Sequence, residues 1–543
     1  MTRFRLLCSI IAALGLALPA AAHEPGDRGG ADSAGTVHFP VSCAAAVQPQ
    51  FDHAVALLHS FWYEEAVKAF GQVAAADHSC AMAQWGIAMS WWYPLWYPPS
   101  EKALWAGSSA AAQAQSLGAK TERERGYIDA ITAFYKDFAT RDHRTRALAY
   151  EQAMARLHER FPEDREAAIF YALALDATAL PTDKTFANQR KAAAILERIS
   201  AEMPDHPGVA HYLIHSYDSP ALAEQGLPAA RRYAKIAPDV PHALHMPSHI
   251  FTRLGLWQES IDANKASHRV SLGYARGTLG PDGWDQESLH TADYLEYAYL
   301  QIGQDAAARR VVEEVRGYRS GPPVTLAAAY AFAAIPARYA LERRDWAAAA
   351  SLDAVSIDTT QFPWASAITE FTHALGAART GASEAAAASI AKLAASRDGL
   401  AEAKNIYWAN QVEVQRQAAA ATLAHMHGKD EDALDLMRKA ATLEASMDKH
   451  PATPGAVVPA RELLADLLLE LNRPADALAE YEATLASEPN RFRSLFGAAQ
   501  AAERAGDTAH ARDYYQRLLT MSAAADTPRP ELQIAQAFVE KSR

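Results

Sequence analysis

The sequence has little of several features that mark common protein classes. Its 543 residues include only 3 cysteines, 27 glycines and 28 prolines, which excludes collagen-like and low-complexity chains. The alternation of polar and apolar residues that marks β-strands is nearly absent. Basic clusters longer than a few residues are missing and the formal net charge is −12, so we expect no nucleic-acid binding. After the first residues no apolar run is long enough to cross a membrane.

Motifs of the common hydrolases and nucleotide-binding proteins are missing as well. The sequence contains no H-E-x-x-H, no G-x-S-x-G and no glycine-rich phosphate loop. Catalytic residues, if the protein is an enzyme, therefore cannot be assigned from the sequence. A metal-dependent hydrolase is the one enzymatic interpretation that the histidines described below leave open.

The first residues indicate export. Arg3 and Arg5 precede an apolar run over residues 6–18, and three alanines at positions 20–22 offer a cleavage site. We predict a cleavable signal peptide over residues 1–22, a polar segment over 23–40, and a periplasmic or secreted location. An uncleaved N-terminal anchor is the alternative.

Removal of the signal peptide leaves Cys43 and Cys80 as the cysteines of the mature chain. Two thiols in an oxidising compartment favour a disulfide that closes the N-terminal helices. The alternative is a pair of separate buried thiols.

The apolar pattern of the chain is helical and repetitive. Apolar residues recur at i, i+3, i+4 and i+7 in segments of about a dozen residues, which predicts an all-α fold. Near the C-terminus, Ala477 and Ala511 lie 34 residues apart, as do Tyr481 and Tyr515. This pattern resembles the tetratricopeptide repeat, whose helix pairs stack into an α-solenoid with a concave binding surface.

The resemblance extends beyond the C-terminal pair. Residues 57–66 and 245–251 are similar to segments of exported bacterial tetratricopeptide-repeat proteins, a likeness that implies fold and export but carries over no catalytic residue. We divide the chain after residue 40 into four parts. These are N-terminal repeats with a tryptophan-rich loop (41–200), histidine-rich central repeats (201–315), irregular helical repeats (316–455) and the C-terminal repeat pair (456–543).

Two pairs of histidines stand in register with this period. His211 and His215 are four residues apart, and His245 and His249 follow each of them after 34 residues. Residues four apart share one helix face, and equivalent helices of successive repeats pack side by side. We therefore expect the four imidazoles to converge. Neutral imidazoles at this spacing predict a zinc or copper site.

Three further residues extend the pattern toward the next repeat. Alignment of the helix ends at Gly255 and Gly303 places His290 at the position of His242, and Asp293 at that of His245. We assign His242, His290 and Asp293 as ligand-binding residues. Two alternatives to a metal are histidines that only hydrogen-bond between helices, and histidines that contact a ligand without a metal.

Six of the 11 tryptophans lie within residues 62–105. Trp91, Trp92 and Trp96 stand among prolines that cannot continue a helix. We interpret this segment as a hydrophobic plug, with an aromatic ligand-binding pocket as the alternative. The turn-rich segment 450–455 indicates a loop, which would add His450 to the site if it folds over the groove.

The sequence therefore predicts a repeat protein that engages a peptide or protein partner on its concave face. The alternative is a zinc or copper protein that uses the histidine cluster. The identity of the metal and of the partner, the repeat count and the oligomeric state do not follow from the sequence.

Overall fold

The computed structural model describes residues 34–95, 98–355 and 357–541. The predicted signal peptide (1–22) and residues 23–33 lie outside the described residues. Helices make up 73% of the chain, which confirms the all-α class. Within the described ranges there is no β-strand, and an isolated β-bridge joins Gly283 to Ser320. None of the described helices is both long and apolar enough to span a membrane.

The helices follow one another with short connections, after a 3₁₀-helix at Ala45–Val47. They are α1 (Gln48–His59), α2 (Tyr63–Ala76), α3 (Ala81–Ser90), α4 (Glu101–Leu117), α5 (Glu122–Tyr135), α6 (His143–Arg160), α7 (Arg165–Thr178), α8 (Ala187–Glu202), α9 (Pro207–Tyr217), α10 (Ala223–Ile236), α11 (Pro241–His245), α12 (Pro247–Arg253), α13 (Trp257–Leu279), α14 (Gln286–Gln301), α15 (Asp305–Gly317), α16 (Leu326–Glu342), α17 (Trp346–Ala350), α18 (Pro363–Arg379), α19 (Ser383–Glu402), α20 (Ile406–Met426), α21 (Asp430–Ala445), α22 (Ala460–Glu470), α23 (Pro474–Ser487), α24 (Phe492–Arg504), α25 (Thr508–Met521) and α26 (Pro530–Lys541).

Consecutive helices pack against each other, and several also contact the helix after next. Helix α14 contacts α16, α16 contacts α18, and α18 contacts α20. This pattern builds a stacked array with one continuous buried core over residues 34–539 and a second apolar cluster within residues 257–335. Small residues permit the close packing. The Tyr481 ring covers Gly497 so closely that a β-carbon there would clash.

The array also closes on itself, because its C-terminal helices contact the central ones. Trp257 Nε1 donates to the carbonyl oxygen of Asn490 over 2.7 Å. Arg529 forms a buried ion pair with Asp305. Gly255 has a φ of +64°, and its α-carbon lies against the backbone of the C-terminal repeats, where a side chain would not fit. The C-terminal repeats therefore pack directly against the central helices.

The N-terminal helices form a core of aromatic residues. Phe39 is fully buried and its ring contacts Phe51, Trp85 and Tyr127 at centroid distances of 5.0–5.6 Å. The end of the segment expected to be polar (23–40) therefore belongs to this core.

The Sγ atoms of Cys43 and Cys80 are 2.05 Å apart, as in a disulfide bond. The pair predicted from the sequence is thus bonded in the structure.

Candidate metal centre

The first histidine group is carried by α9 and α11. His211 and His215 lie one turn apart on α9, and their Nε2 atoms are 3.1 Å apart. His242, from the short helix α11, is the third member. One ring nitrogen of each residue lies within 4.8 Å of the others. We call these three residues triad A.

The second histidine group lies beside the first. His245 ends α11 and His249 is on α12, and their Nε2 atoms are 3.0 Å apart. His290 of α14 completes this group, again with ring nitrogens within 4.8 Å of one another. We call these residues triad B. The structure thus brings together all four histidines assigned as metal ligands, together with His242 and His290.

The nitrogen spacing in both pairs approaches that of ligands on one ion. Two nitrogens at about 2.1 Å from a tetrahedral zinc ion lie about 3.4 Å apart. The spacings of 3.1 Å in His211–His215 and 3.0 Å in His245–His249 are slightly shorter than this value. The spacing of four residues therefore places the two nitrogens of each pair at a distance suited to binding one metal ion.

In triad B the Nδ1 atoms of His245 and His249 both donate hydrogen bonds to neighbouring side chains. His245 Nδ1 donates to Asn264 Oδ1 over 2.6 Å, and the amide orientation is set because Asn264 Nδ2 donates to Ser260 O. His249 Nδ1 donates to Asp218 Oδ2 over 2.9 Å. Each neutral ring therefore carries its proton on Nδ1 and a lone pair on Nε2.

This assignment makes the short contact in triad B unusual. Two lone pairs face each other across 3.0 Å between His245 and His249. Such an arrangement repels unless a cation or a shared proton lies between the two nitrogens. Burial lowers the pKa of His245 to about 4 and that of His249 well below its ordinary value, which disfavours the proton. A metal ion placed between the two nitrogens would satisfy both lone pairs.

Triad A has similar outer contacts. His211 Nδ1 donates to the carbonyl oxygen of His59 over 2.6 Å, and His242 Nδ1 lies 3.1 Å from Glu287 Oε2. Burial lowers the pKa of His215 and of His242 to about 3. Outer hydrogen bonds of this kind fix the tautomer and the ring orientation of metal-ligating histidines.

One aromatic ring covers each triad. Phe61 contacts the rings of His211, His215 and His242 at centroid distances of 4.3–5.8 Å. Its φ of +55° is rare for a bulky residue and holds the ring in this place.

Tyr294 contacts His245, His249 and His290 in the same way, at 4.8–5.2 Å. The two rings exclude water from their sides of the centre. Of the six histidines only His215 is more than slightly accessible to solvent.

A loop from the C-terminal half closes triad B. Lys449 Nζ donates to Asp218 Oδ2 over 2.9 Å, and Arg253 Nε donates to Asp218 Oδ1 over 2.7 Å. Tyr294 OH donates to the carbonyl oxygen of Thr453 over 3.1 Å. The two cations hold the pKa of Asp218 well below its ordinary value, so the residue remains a carboxylate.

A cavity of about 500 Å³ lies between the central and the C-terminal helices. Its wall includes the rings of Tyr297, Tyr330 and Trp408, as well as the charged Arg253 and Lys449. Arg253 and Lys449 therefore connect the cavity to triad B through Asp218, which accepts from both of them and from His249.

Another buried group, formed by His59, Glu166 and His206, has distances between its polar atoms like those in the triads but a different set of hydrogen bonds. Glu166 accepts from His59 Nε2 and from His206 Nε2, each over 2.9 Å. His59 Nδ1 lies 2.9 Å from Tyr212 OH, which donates to it. The backbone amide of Val209 donates to His206 Nδ1 over 3.3 Å, so each ring nitrogen of His59 and His206 has a hydrogen-bond partner. We therefore assign this group a structural role.

The other predicted site residues lie apart from the triads. Asp293 accepts from Arg338 Nη1 over 2.7 Å within a buried ion pair. Its register with His245 does not bring it to the histidines, because Arg338 of α16 holds its carboxylate.

Of the three tryptophans assigned to ligand binding, Trp91 and Trp92 lie within the described residues. Trp92 is fully buried between Phe134 and Tyr150. Trp91 packs near Tyr93, with ring centroids 6.4 Å apart. Trp96 lies outside the described residues. The packing of Trp92 favours the interpretation as a hydrophobic plug.

Comparison with known proteins identifies the C-terminal segment. Residues 463–527 match the tetratricopeptide repeat family. This part of the chain consists of tetratricopeptide repeats. The match runs from within α22 to just beyond α25, inside the predicted C-terminal repeat pair. No curated protein sequence matches the chain.

Two solved structures are similar to the chain over most of its length. The human IFIT1 dimer with PPP-AAAA is 12% identical, covering 87% of this chain and 89% of that one, with a TM-score of 0.36. The structure of Naa15/Naa10 bound to HypK-THB is 14% identical, covering 91% of this chain and 73% of that one, with a TM-score of 0.24. Likenesses of this degree carry no conclusion about function.

Proposed function

We propose that this protein binds transition-metal ions, zinc or copper, at triads A and B. The observation that carries the proposal is the 3.0 Å contact between His245 Nε2 and His249 Nε2, whose Nδ1 atoms both donate elsewhere. Imidazole is a ligand that both metals accept, and three protein ligands leave a coordination position open.

Elemental analysis of the full chain tests the proposal. The protein is purified without a polyhistidine tag, stripped with a chelator and reloaded separately with zinc and with copper. We expect up to two equivalents of metal per chain. Retention of only a small fraction of an equivalent after reloading would reject the metal site.

Paired substitutions locate the ions. The double variant His211→Asn/His245→Asn removes one ligand from each triad, and we expect it to lose the metal while its far-UV circular dichroism is kept. The matched control His143→Asn/His158→Asn removes two histidines of α6 that lie outside the triads, and it should bind metal like the parent. Equal metal content in both variants would place the ions elsewhere.

We further propose that the protein acts in the periplasm or outside the cell. The basic and apolar start of the sequence and the bonded Cys43 and Cys80 support this location. Fractionation of the producing cell, together with N-terminal sequencing of the mature chain, tests it. A full-length chain in the cytosolic fraction would contradict export.

The second candidate function is binding of a protein or peptide partner, which the match of residues 463–527 favours. Repeats of this kind build extended binding surfaces. Ile534 of α26, beside the matched segment, is an apolar side chain exposed to 44%.

Crosslinking of envelope extracts tests this function with two exposed apolar positions. Ile534→Asp should lose a partner that the parent captures. The control Leu117→Asp, at a position exposed to 39% on α4, should keep it. Loss in both variants, or in neither, would remove this surface from consideration.

A further inference from the structure

Triads A and B adjoin each other. The ring centroids of His242 and His245 are 5.8 Å apart, and so are those of His215 and His249. Aromatic rings at this distance are in contact. Triads A and B are therefore in direct contact through these rings.

Each triad offers three imidazole nitrogens, which lie within 4.8 Å of one another. The neighbouring carboxylates of Asp218 and Glu287 lie on the Nδ1 side of their histidines, away from the paired Nε2 atoms. Arg253 and Lys449 balance the charge of Asp218. The centre thus offers a neutral, all-nitrogen ligand set.

Such a ligand set favours copper. Affinity for divalent ions of the first transition row rises to a maximum at copper, and imidazole is one of its preferred ligands. Hard metal ions, which prefer carboxylate oxygen ligands, would bind weakly to these nitrogen ligands. Phe61 and Tyr294 cover one triad each, so an ion in either triad would have an aromatic ring on one side.

We propose that the two triads form a dicopper centre that binds dioxygen between its ions. This inference rests on the metal sites proposed above. Each copper(I) gives up one electron, so that two copper(I) ions and one O₂ become two copper(II) ions and one bound peroxide. The oxygen–oxygen π bond is broken, two copper–oxygen bonds form, and no proton is taken up.

The test begins with anaerobic loading of the full chain with copper(I), followed by addition of O₂. Uptake is measured with an oxygen electrode, and the product is examined by electron paramagnetic resonance. We expect one O₂ consumed for each two coppers. Because adjacent copper(II) ions couple their spins through the bridge, the resonance signal should fall far below that of the total copper.

Two outcomes would overturn the dicopper inference while leaving metal binding intact. One is copper binding without O₂ uptake. The other is a resonance signal that accounts for all of the copper, as isolated ions would give. Failure of the chain to bind copper or zinc at all would instead reject the proposed function itself.

A variant that lacks one histidine of triad B distinguishes a shared dicopper centre from two independent metal sites. His290→Gln leaves triad A complete, so we expect about half of the copper to remain and nearly all of the O₂ uptake to be lost. The remaining copper(II) should then give a full resonance signal. The control His143→Gln, on α6, should behave like the parent. Unchanged O₂ uptake in His290→Gln would also contradict a shared centre.

Discussion

His249 donates its Nδ1 proton to Asp218, and Asp218 is held from the other side by a lysine that is 231 residues further along the chain. Lys449 belongs to the loop that also receives the hydroxyl of Tyr294 at Thr453. The closure of triad B therefore depends on a carboxylate shared between a histidine and a distant loop. Changes to that carboxylate should therefore affect both the orientation of the His249 ring and the attachment of the loop through Lys449.

We expect Asp218→Ala to weaken metal binding at triad B by about 10–100-fold, because His249 loses the acceptor that orients its ring. Asp218→Asn keeps an acceptor oxygen and should recover part of this loss. Stepwise competition with a chelator measures the two affinities.

The control for this change is Asp448→Asn. Asp448 ion-pairs with Arg253 over 2.9 Å but accepts no Nδ1 hydrogen bond from the described histidines of the triads. Its affinity for metal should match that of the parent. If Asp218→Ala also leaves the affinity unchanged, His249 is not a ligand.

Asp293→Asn tests the residue that the repeat alignment assigned to the ligand set. Asp293 and Glu296 share the buried Arg338, at 2.7 and 2.9 Å. Loss of one carboxylate from a buried ion pair destabilises a protein by about 3 kcal/mol. We expect a fall of that order in the urea-derived free energy of unfolding, with metal content unchanged. If Asp293→Asn instead loses metal while its free energy of unfolding stays that of the parent, Asp293 belongs to the metal site.

The all-α class and the convergence of the histidine pairs could be predicted because both follow from periodicity. A spacing of 34 residues places His211 and His245 at equivalent points of adjacent helices, whatever the loops between them do. The assignment of Asp293 depended on local alignment alone. Its partner Arg338 is 45 residues away, and no periodic signal indicates an ion pair of this kind.

The outer contacts of the centre were less accessible to prediction. Nothing in the sequence spacing distinguishes Asp218 and Glu287 from the other acidic residues near the histidines. The contribution of Lys449 depends on closure of the array, which brings together residues from distant helices. Phe61 comes shortly after the end of α1, and its left-handed backbone is visible only in the structure.

Glu444 gives a prediction for pH. It lines the cavity, and its Oε2 accepts from the backbone amide of Ala460 over 2.8 Å. Burial, with a smaller contribution from Glu488, raises the pKa of Glu444 from 4.5 to about 8. The folded protein therefore holds this proton more tightly than the unfolded chain does. The contribution of Glu444 to stability falls as the pH rises from about 4.5 to about 8, by at most about 1.4 kcal/mol per pH unit.

We expect Glu444→Gln to remove this part of the pH dependence and to be more stable than the parent at pH values near 8. Urea unfolding across this range measures the effect. The exposed Glu402→Gln serves as the control and should follow the parent curve. A Glu444→Gln curve parallel to that of the parent would show that Glu444 is ionised throughout.

The disulfide supplies the last prediction. Cys43 lies just before the 3₁₀-helix, and Cys80 stands at the N-terminus of α3, 37 residues away. A crosslink of this span reduces the entropy of the unfolded chain and stabilises the fold by about 4 kcal/mol. The double variant Cys43→Ser/Cys80→Ser should therefore unfold at lower urea concentration. A reductant should shift the parent by the same amount and leave the variant unchanged, because the variant has no bond to break. Reaction of both thiols with an alkylating reagent in native protein from an oxidising compartment would instead show that the bond does not form there.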